Sequence, residues 1–227
     1  MKTRILTIAV LWLAALPAWA AERPNPASIP PANPPGKPLA DEPAFVEKAI
    51  TPELIQKLRK GGYVLYMRHG TTDNSRPDRT PSVDLNDCAT QRLLSDQGRA
   101  LMKRVGQGLR QAGLPLGEVL VSPMCRTQES AQLAVGKGFT LEEPLMYSAN
   151  MTSAEKKPRI EALKKLLTAP LKPGDNRLLI AHAPNMADLI GFFVKPEGTV
   201  LVFGQSGPLG YEYLASIHPD DWARLAR

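Results

Sequence analysis

The sequence predicts an α/β chain folded as a three-layer α/β/α sandwich around a central, mostly parallel sheet. Three short apolar runs carry that expectation, at residues 63–67, 118–121 and 177–181. Each is β-prone, lacks helical periodicity and ends abruptly in polar residues that lead into a turn or a helical pattern. Strands alternating with helices build a parallel sheet whose crossovers cover both faces. The carboxyl ends of such strands open on the crevice where ligands bind, so the residues that end each run are the candidates for chemistry.

The elements follow in chain order. Thr51 and Pro52 start a helix as N-cap and first residue, and Gly61-Gly62 stops it. The first strand then delivers Arg68-His69-Gly70. Residues 71–92 are polar and contain proline, which reads as a long loop over the strand ends. Ser95 is an N-cap, Leu101, Val105 and Leu109 keep helical spacing, and Gly113 terminates. The second strand leads through Ser122-Pro123-Met124-Cys125-Arg126 into a helix over 127–135. A further helix is expected over 161–167. The third strand ends in His182, and Asn185 opens another helical pattern. Residues 200–203 and 211–215 read as late strands separated by glycines and Pro208.

The first 20 residues read as a signal peptide rather than as part of the fold. Lys2 and Arg4 precede an apolar stretch over 5–16, too short to span a bilayer comfortably, and Ala18-Trp19-Ala20 offers a small-x-small cleavage site. Residues 21–46 read as a Pro-rich leader, with eight of the 22 prolines between 21 and 43, and residues 47–227 as the catalytic domain. The expected address is periplasmic, with no stable membrane insertion after cleavage. Losing Lys2 and Arg4 lowers the formal charge from +6 to +4. That balance suits an anionic substrate, and no aromatic-interleaved basic stripe calls for nucleic acid. Cys88 and Cys125 lack metal-ligand spacing. In an oxidising compartment they would pair as a disulfide; two separate buried thiols are the alternative.

Four blocks in order resemble the histidine phosphatase superfamily, the phosphoglycerate mutase-like clan. They are Arg68-His69-Gly70, Leu94-Ser95-Asp96-Gln97-Gly98-Arg99, the Ser-Pro-x-x-Arg-Thr-x-Glu block from Ser122 to Glu129, and His182 at a strand end. The resemblance covers most of the chain from about residue 50 onward. It implies a phosphohistidine mechanism, with His69 as nucleophile and Arg68, Arg126 and His182 binding the phosphoryl group. Arginine can clamp phosphate oxygens in bidentate fashion, and the positive field disfavours an imidazolium, keeping the ring nucleophilic. No metal and no cofactor is required. The expected partner is a small phosphorylated substrate or an envelope glycan phosphate.

The chain departs from the family where a proton donor is expected. Tyr147 stands where one branch carries a glutamate shortly after Pro144-Leu145, and Ala183 follows His182 where the other carries an aspartate. Asp73, Asp84, Asp87, Glu143 and Glu197 remain candidates, and Glu197, in the loop after the His182 helix, is the one taken as donor. His218 has no partner motif and reads as a surface or packing residue.

Overall fold

The computed structural model describes residues 45–79 and 83–225. The signal peptide and all but the last two residues of the leader lie outside them. The described chain runs α1 (Pro52–Leu58), β1 (Tyr63–Arg68), α2 (Asp96–Gln111), β2 (Leu116–Val121), α3 (Cys125–Ala134), β3 (Thr140–Leu141), α4 (Ser153–Thr168), β4 (Asn176–Ala181), α5 (Ala183–Ile190), β5 (Val200–Gly204), β6 (Glu212–Ile217) and a final turn α6 (Trp222–Leu225).

The strands form one sheet in the order β3-β2-β4-β1-β5-β6. β3, β2, β4 and β1 run parallel, and β5 and β6 add an antiparallel edge. β4 is buried along its whole length, as a central parallel strand covered on both faces must be.

Side-chain alternation divides the core in two. Leu65, Met67, Leu178, Ile180, Val200 and Val202 pack against α1, α2, α3 and α6 on one face. Val64, Tyr66, Leu179, Ala181, Leu201 and Phe203 pack against Leu163 and Leu167 of α4 and Ala183 and Met186 of α5 on the other. The period of two along each strand thus yields the three-layer sandwich.

Several boundaries depart from the sequence reading. β2 begins at Leu116, two residues early, because Gly117 and a register irregularity interrupt its apolar run. β3 is two exposed residues and carries no sequence signal. α5 starts at Ala183 rather than Asn185, with Pro184 in its first turn. α4 begins at Ser153 rather than Glu161. Pro158 argues locally against helix there. The upstream start is instead set by a capping box, in which the Thr152 hydroxyl accepts from Glu155 N and the Glu155 carboxylate accepts from Thr152 N at 2.7 Å.

Two glycines explain how the first strand end meets α2. A methyl at Gly98 would overlap the carbonyl of Thr71, and one at Gly70 would sit 2.8 Å from the Gly98 carbonyl. Ser95 caps α2 through Gly98 N at 3.1 Å and also donates to Thr71 O at 3.2 Å. The Arg68-His69-Gly70 turn and the Leu-Ser-x-x-Gly block are therefore halves of one close backbone contact.

Candidate active site

Parallel register brings the predicted residues together. His69 N donates to Ala181 O at 3.1 Å and Ser122 N to Ile180 O at 3.0 Å, so the ends of β1, β2 and β4 lie side by side. The rings of His69 and His182 stand edge to face with centroids 5.2 Å apart, and both are buried.

His69 Nδ1 lies 2.8 Å from Gly70 O. A carbonyl only accepts, so Nδ1 carries the proton and Nε2 keeps its lone pair. Burial first, then the Arg126 charge, holds the His69 pKa well below the ordinary histidine value. Burial followed by Arg126 does the same to His182. Both rings are therefore neutral near pH 7, and His69 presents an unprotonated nitrogen. His182 pairs through Nε2 with the Ser122 hydroxyl at 2.9 Å, and its backbone exchanges two bonds with the buried Tyr66 hydroxyl.

The arginines are held by carboxylates. Arg68 donates to Val194 O at 2.7 Å and to Glu197 at 2.6 Å. Arg126, wholly buried, donates to Asp78 Oδ1 at 3.0 Å. Burial pushes both guanidinium pKa values down while Glu197 and Asp78 push them back up. An arginine does not deprotonate in such a setting, so both stay cationic. The Ser122-to-Glu129 block is fastened internally: Thr127 Oγ1 donates to Ser122 O at 2.8 Å, and Ser130 Oγ donates to Arg126 O at 2.7 Å while accepting from Gly70 N at 3.1 Å. Glu129 ties α3 to α2 through Arg99 Nε at 2.6 Å.

Asp78, Arg92 and Ser122 also belong to this cluster. They lie in the long loop or serve as plain motif letters, and nothing in one sequence announces their partners. Tyr147 was visible only as a departure. Its ring stands edge-on to His182 at 5.4 Å, with the Arg126 guanidinium over it at 5.2 Å. Glu197 lies against Arg68, and Gly198 N donates to both Arg68 O and His69 O at 3.2 Å, which puts this loop at the site. Asp73, Asp84 and Glu143 bond instead to Ser75 N, Asn86 N and Arg159, and Asp87 caps the single turn Cys88–Thr90. Cys88 and Cys125 form a disulfide, with Cα atoms 5.8 Å apart. His218 is a surface residue paired with Glu47 at 2.9 Å.

One feature unites the cluster. Arg68 Nε, Arg92 Nε, Arg126 Nε and Nη2, and His182 Nδ1 are buried without a hydrogen-bond partner among the described residues. An unpaired buried polar group costs about 1–3 kcal/mol. Nitrogens of this kind, gathered around two neutral imidazoles, suit an anion rich in acceptor oxygens.

Neither a family model nor a curated protein matches this sequence. Solved structures do. A phosphoserine phosphatase of Entamoeba histolytica superposes with a TM-score of 0.52 at 13% identity, over 70% of this chain and 98% of that one. An Escherichia coli protein assigned as an alpha-ribazole-5'-P phosphatase gives 0.51 at 16% identity, over 69% and 97%. A Mycobacterium tuberculosis open reading frame gives 0.51 at 17% identity, over 67% and 95%. The chain shares the fold of these three structures. At these identities the likeness speaks for the architecture, and the chemistry is argued from the residues.

Proposed function

We propose that this protein is an exported phosphatase that hydrolyses phosphomonoesters through a phosphohistidine on His69. The observation that carries the reading is the set of unpartnered buried nitrogens on Arg68, Arg126 and His182, with the His182 ring 5.2 Å from a His69 whose Nε2 has no hydrogen-bond partner among the described residues. The fold it shares with two structures named as phosphatases supports it.

His69 Nε2 attacks phosphorus as the phosphorus–oxygen bond to the leaving group breaks. Arg68, Arg126 and His182 hold the three equatorial oxygens, where charge spreads in the transition state. Glu197, ionised against Arg68 in the free protein, takes up the proton of the bound phosphomonoester monoanion and gives it to the departing alkoxide. Its carboxylate then takes a proton from the water that attacks the phosphohistidine, releasing inorganic phosphate and restoring neutral His69.

A narrower reading concerns the leaving group. Tyr147 replaces the expected glutamate, and Glu197 is also the partner of Arg68. Both facts favour substrates whose leaving group needs little protonation, which brings phosphohistidine in a protein within the class to be tested. The cystine supports an oxidising compartment, and with it the export reading. The decisive experiment is a panel of phosphomonoesters, including aryl, alkyl and glycan phosphates, assayed with the mature protein and with vanadate as inhibitor. Turnover that vanadate blocks supports the proposal. Tight phosphate binding without turnover of any substrate would make the chain a phosphoryl-ligand binder instead.

A further inference from the structure

Arg92 belongs to none of the four motif blocks, and the steps above give it no task. Its main-chain N–H donates to Asp78 Oδ1 at 2.8 Å, the oxygen that also accepts from Arg126. Its Nη1 donates to Asn74 Oδ1 at 3.1 Å, and its Nε is buried without a partner. The shared Asp78 oxygen sets Arg92 beside Arg126, and its positive charge lowers the pKa values of His69, His182, Arg68 and Arg126 alike.

Charge balance gives this residue weight. The Arg68 cation is matched by Glu197 and the Arg126 cation by Asp78, and the two imidazoles are neutral. Those six groups sum to no net charge. Arg92 forms no salt bridge among the described residues, and its side chain donates there only to the neutral Asn74 amide. It therefore supplies the uncompensated positive charge that a phosphate dianion requires.

The segment that presents Arg92 has little regular structure to hold it. Among the described residues its only helical piece is the single turn Cys88–Thr90. Covalent and polar ties fasten it to the start of α3. Cys88 is bonded to Cys125, Gln91 Oε1 accepts from Cys125 N at 2.8 Å, and Asp78 joins Arg92 N to Arg126. All three ties converge on two consecutive residues, Cys125 and Arg126.

We propose that Arg92 is a third phosphoryl-binding cation, and that the Cys88–Cys125 disulfide is the positioning element that holds it beside Arg126. The inference rests on the phosphatase reading and deepens it.

The test measures vanadate affinity, and KM separately from kcat for p-nitrophenyl phosphate, on oxidised mature protein. Wild type is compared with Arg92→Met, Arg92→Lys, Cys88→Ser/Cys125→Ser and the triple variant. Arg92→Met should weaken vanadate binding and raise KM by roughly tenfold or more, the scale of one hydrogen bond to a charged group. Arg92→Lys should restore part of this, since ammonium keeps the charge and loses the fork. The disulfide-free protein should show a similar loss, and adding Arg92→Met to it should cost less than about twofold more, because coupled residues do not add. Should the disulfide-free chain fail to fold, Gln91→Met replaces it with the same expectation. Vanadate affinity untouched by Arg92→Met overturns the first half, and fully additive losses overturn the second. A wild type that neither binds vanadate nor turns over any phosphomonoester removes the phosphatase reading itself. A wild type that does both, beside an unaffected Arg92→Met, sinks this inference alone.

Discussion

The proposed chemistry turns on the protonation of one ring. His69 can attack phosphorus only when Nε2 is bare, and two features secure that: Nδ1–H is committed to Gly70 O, and burial with the Arg126 charge disfavours the imidazolium. The imidazole resonances of His69 should therefore show a neutral ring well below pH 6.5. In Arg126→Met its titration should move up toward the ordinary histidine value of about 6.5, because one opposing cation is gone. No movement would mean that the Arg126 charge plays no part in holding the ring neutral. Glu197 offers a second test at this scale. Aryl oxyanions leave without help, whereas alkoxides need a proton, and general acid catalysis is worth roughly 10²–10⁴-fold where it is needed. Glu197→Gln should slow alkyl phosphates by a factor in that range while largely sparing p-nitrophenyl phosphate. Equal slowing of both would assign Glu197 to holding Arg68 instead.

Among the elements, the sheet brings three strand ends together, but the contact between α2 and the turn after β1 sets where His69 sits. Gly98→Ala should force that contact apart, since its methyl would overlap the Thr71 carbonyl. The expected cost is about 1–3 kcal/mol of stability, as for other overpacked sites. A fall in kcat should accompany it, because the displaced turn carries His69. Denaturant unfolding beside steady-state kinetics checks both, and a fully active, fully stable variant would contradict the packing argument. This contact also shows what could be read in advance. The Leu-Ser-x-x-Gly block was legible as a helix start because capping is local chemistry. Its reason for ending in glycine was not, because the Thr71 carbonyl approaches from 27 positions earlier. α4 makes the converse point. Pro158 and a polar first turn hid half of that helix, while the Thr152–Glu155 capping box that starts it was in plain sight.

Over the whole molecule, two neutral buried histidines make stability depend on pH. The unfolded chain takes up protons at His69 and His182 as pH falls through about 6.5, while the folded protein does not until far lower. The unfolded state then binds more protons, so their contribution to stability declines as pH falls from about 6.5 toward the depressed folded values. The limiting slope for two rings is about 2.7 kcal/mol per pH unit. Denaturation midpoints measured between pH 7 and 5 should show this loss, and His182→Gln should reduce it if the variant folds. The fold class and the residues Arg68, His69, Arg126 and His182 were legible because each ends or follows a short apolar run and carries unmistakable chemistry. Asp78 and Arg92 were not, because the irregular segment between β1 and α2 folds back by long-range ties: a disulfide, the Gln91 bond to Cys125 N and the Asp78 bond to Arg126.

A phosphoryl group should rest on His69 during turnover. Mature protein mixed briefly with a phosphorylated substrate that it hydrolyses, quenched in base and digested, should yield an acid-labile, base-stable phosphopeptide containing His69. His69→Ala should lose both the label and turnover. Full turnover by His69→Ala, or a label that resides on another residue and survives that substitution, would contradict the account.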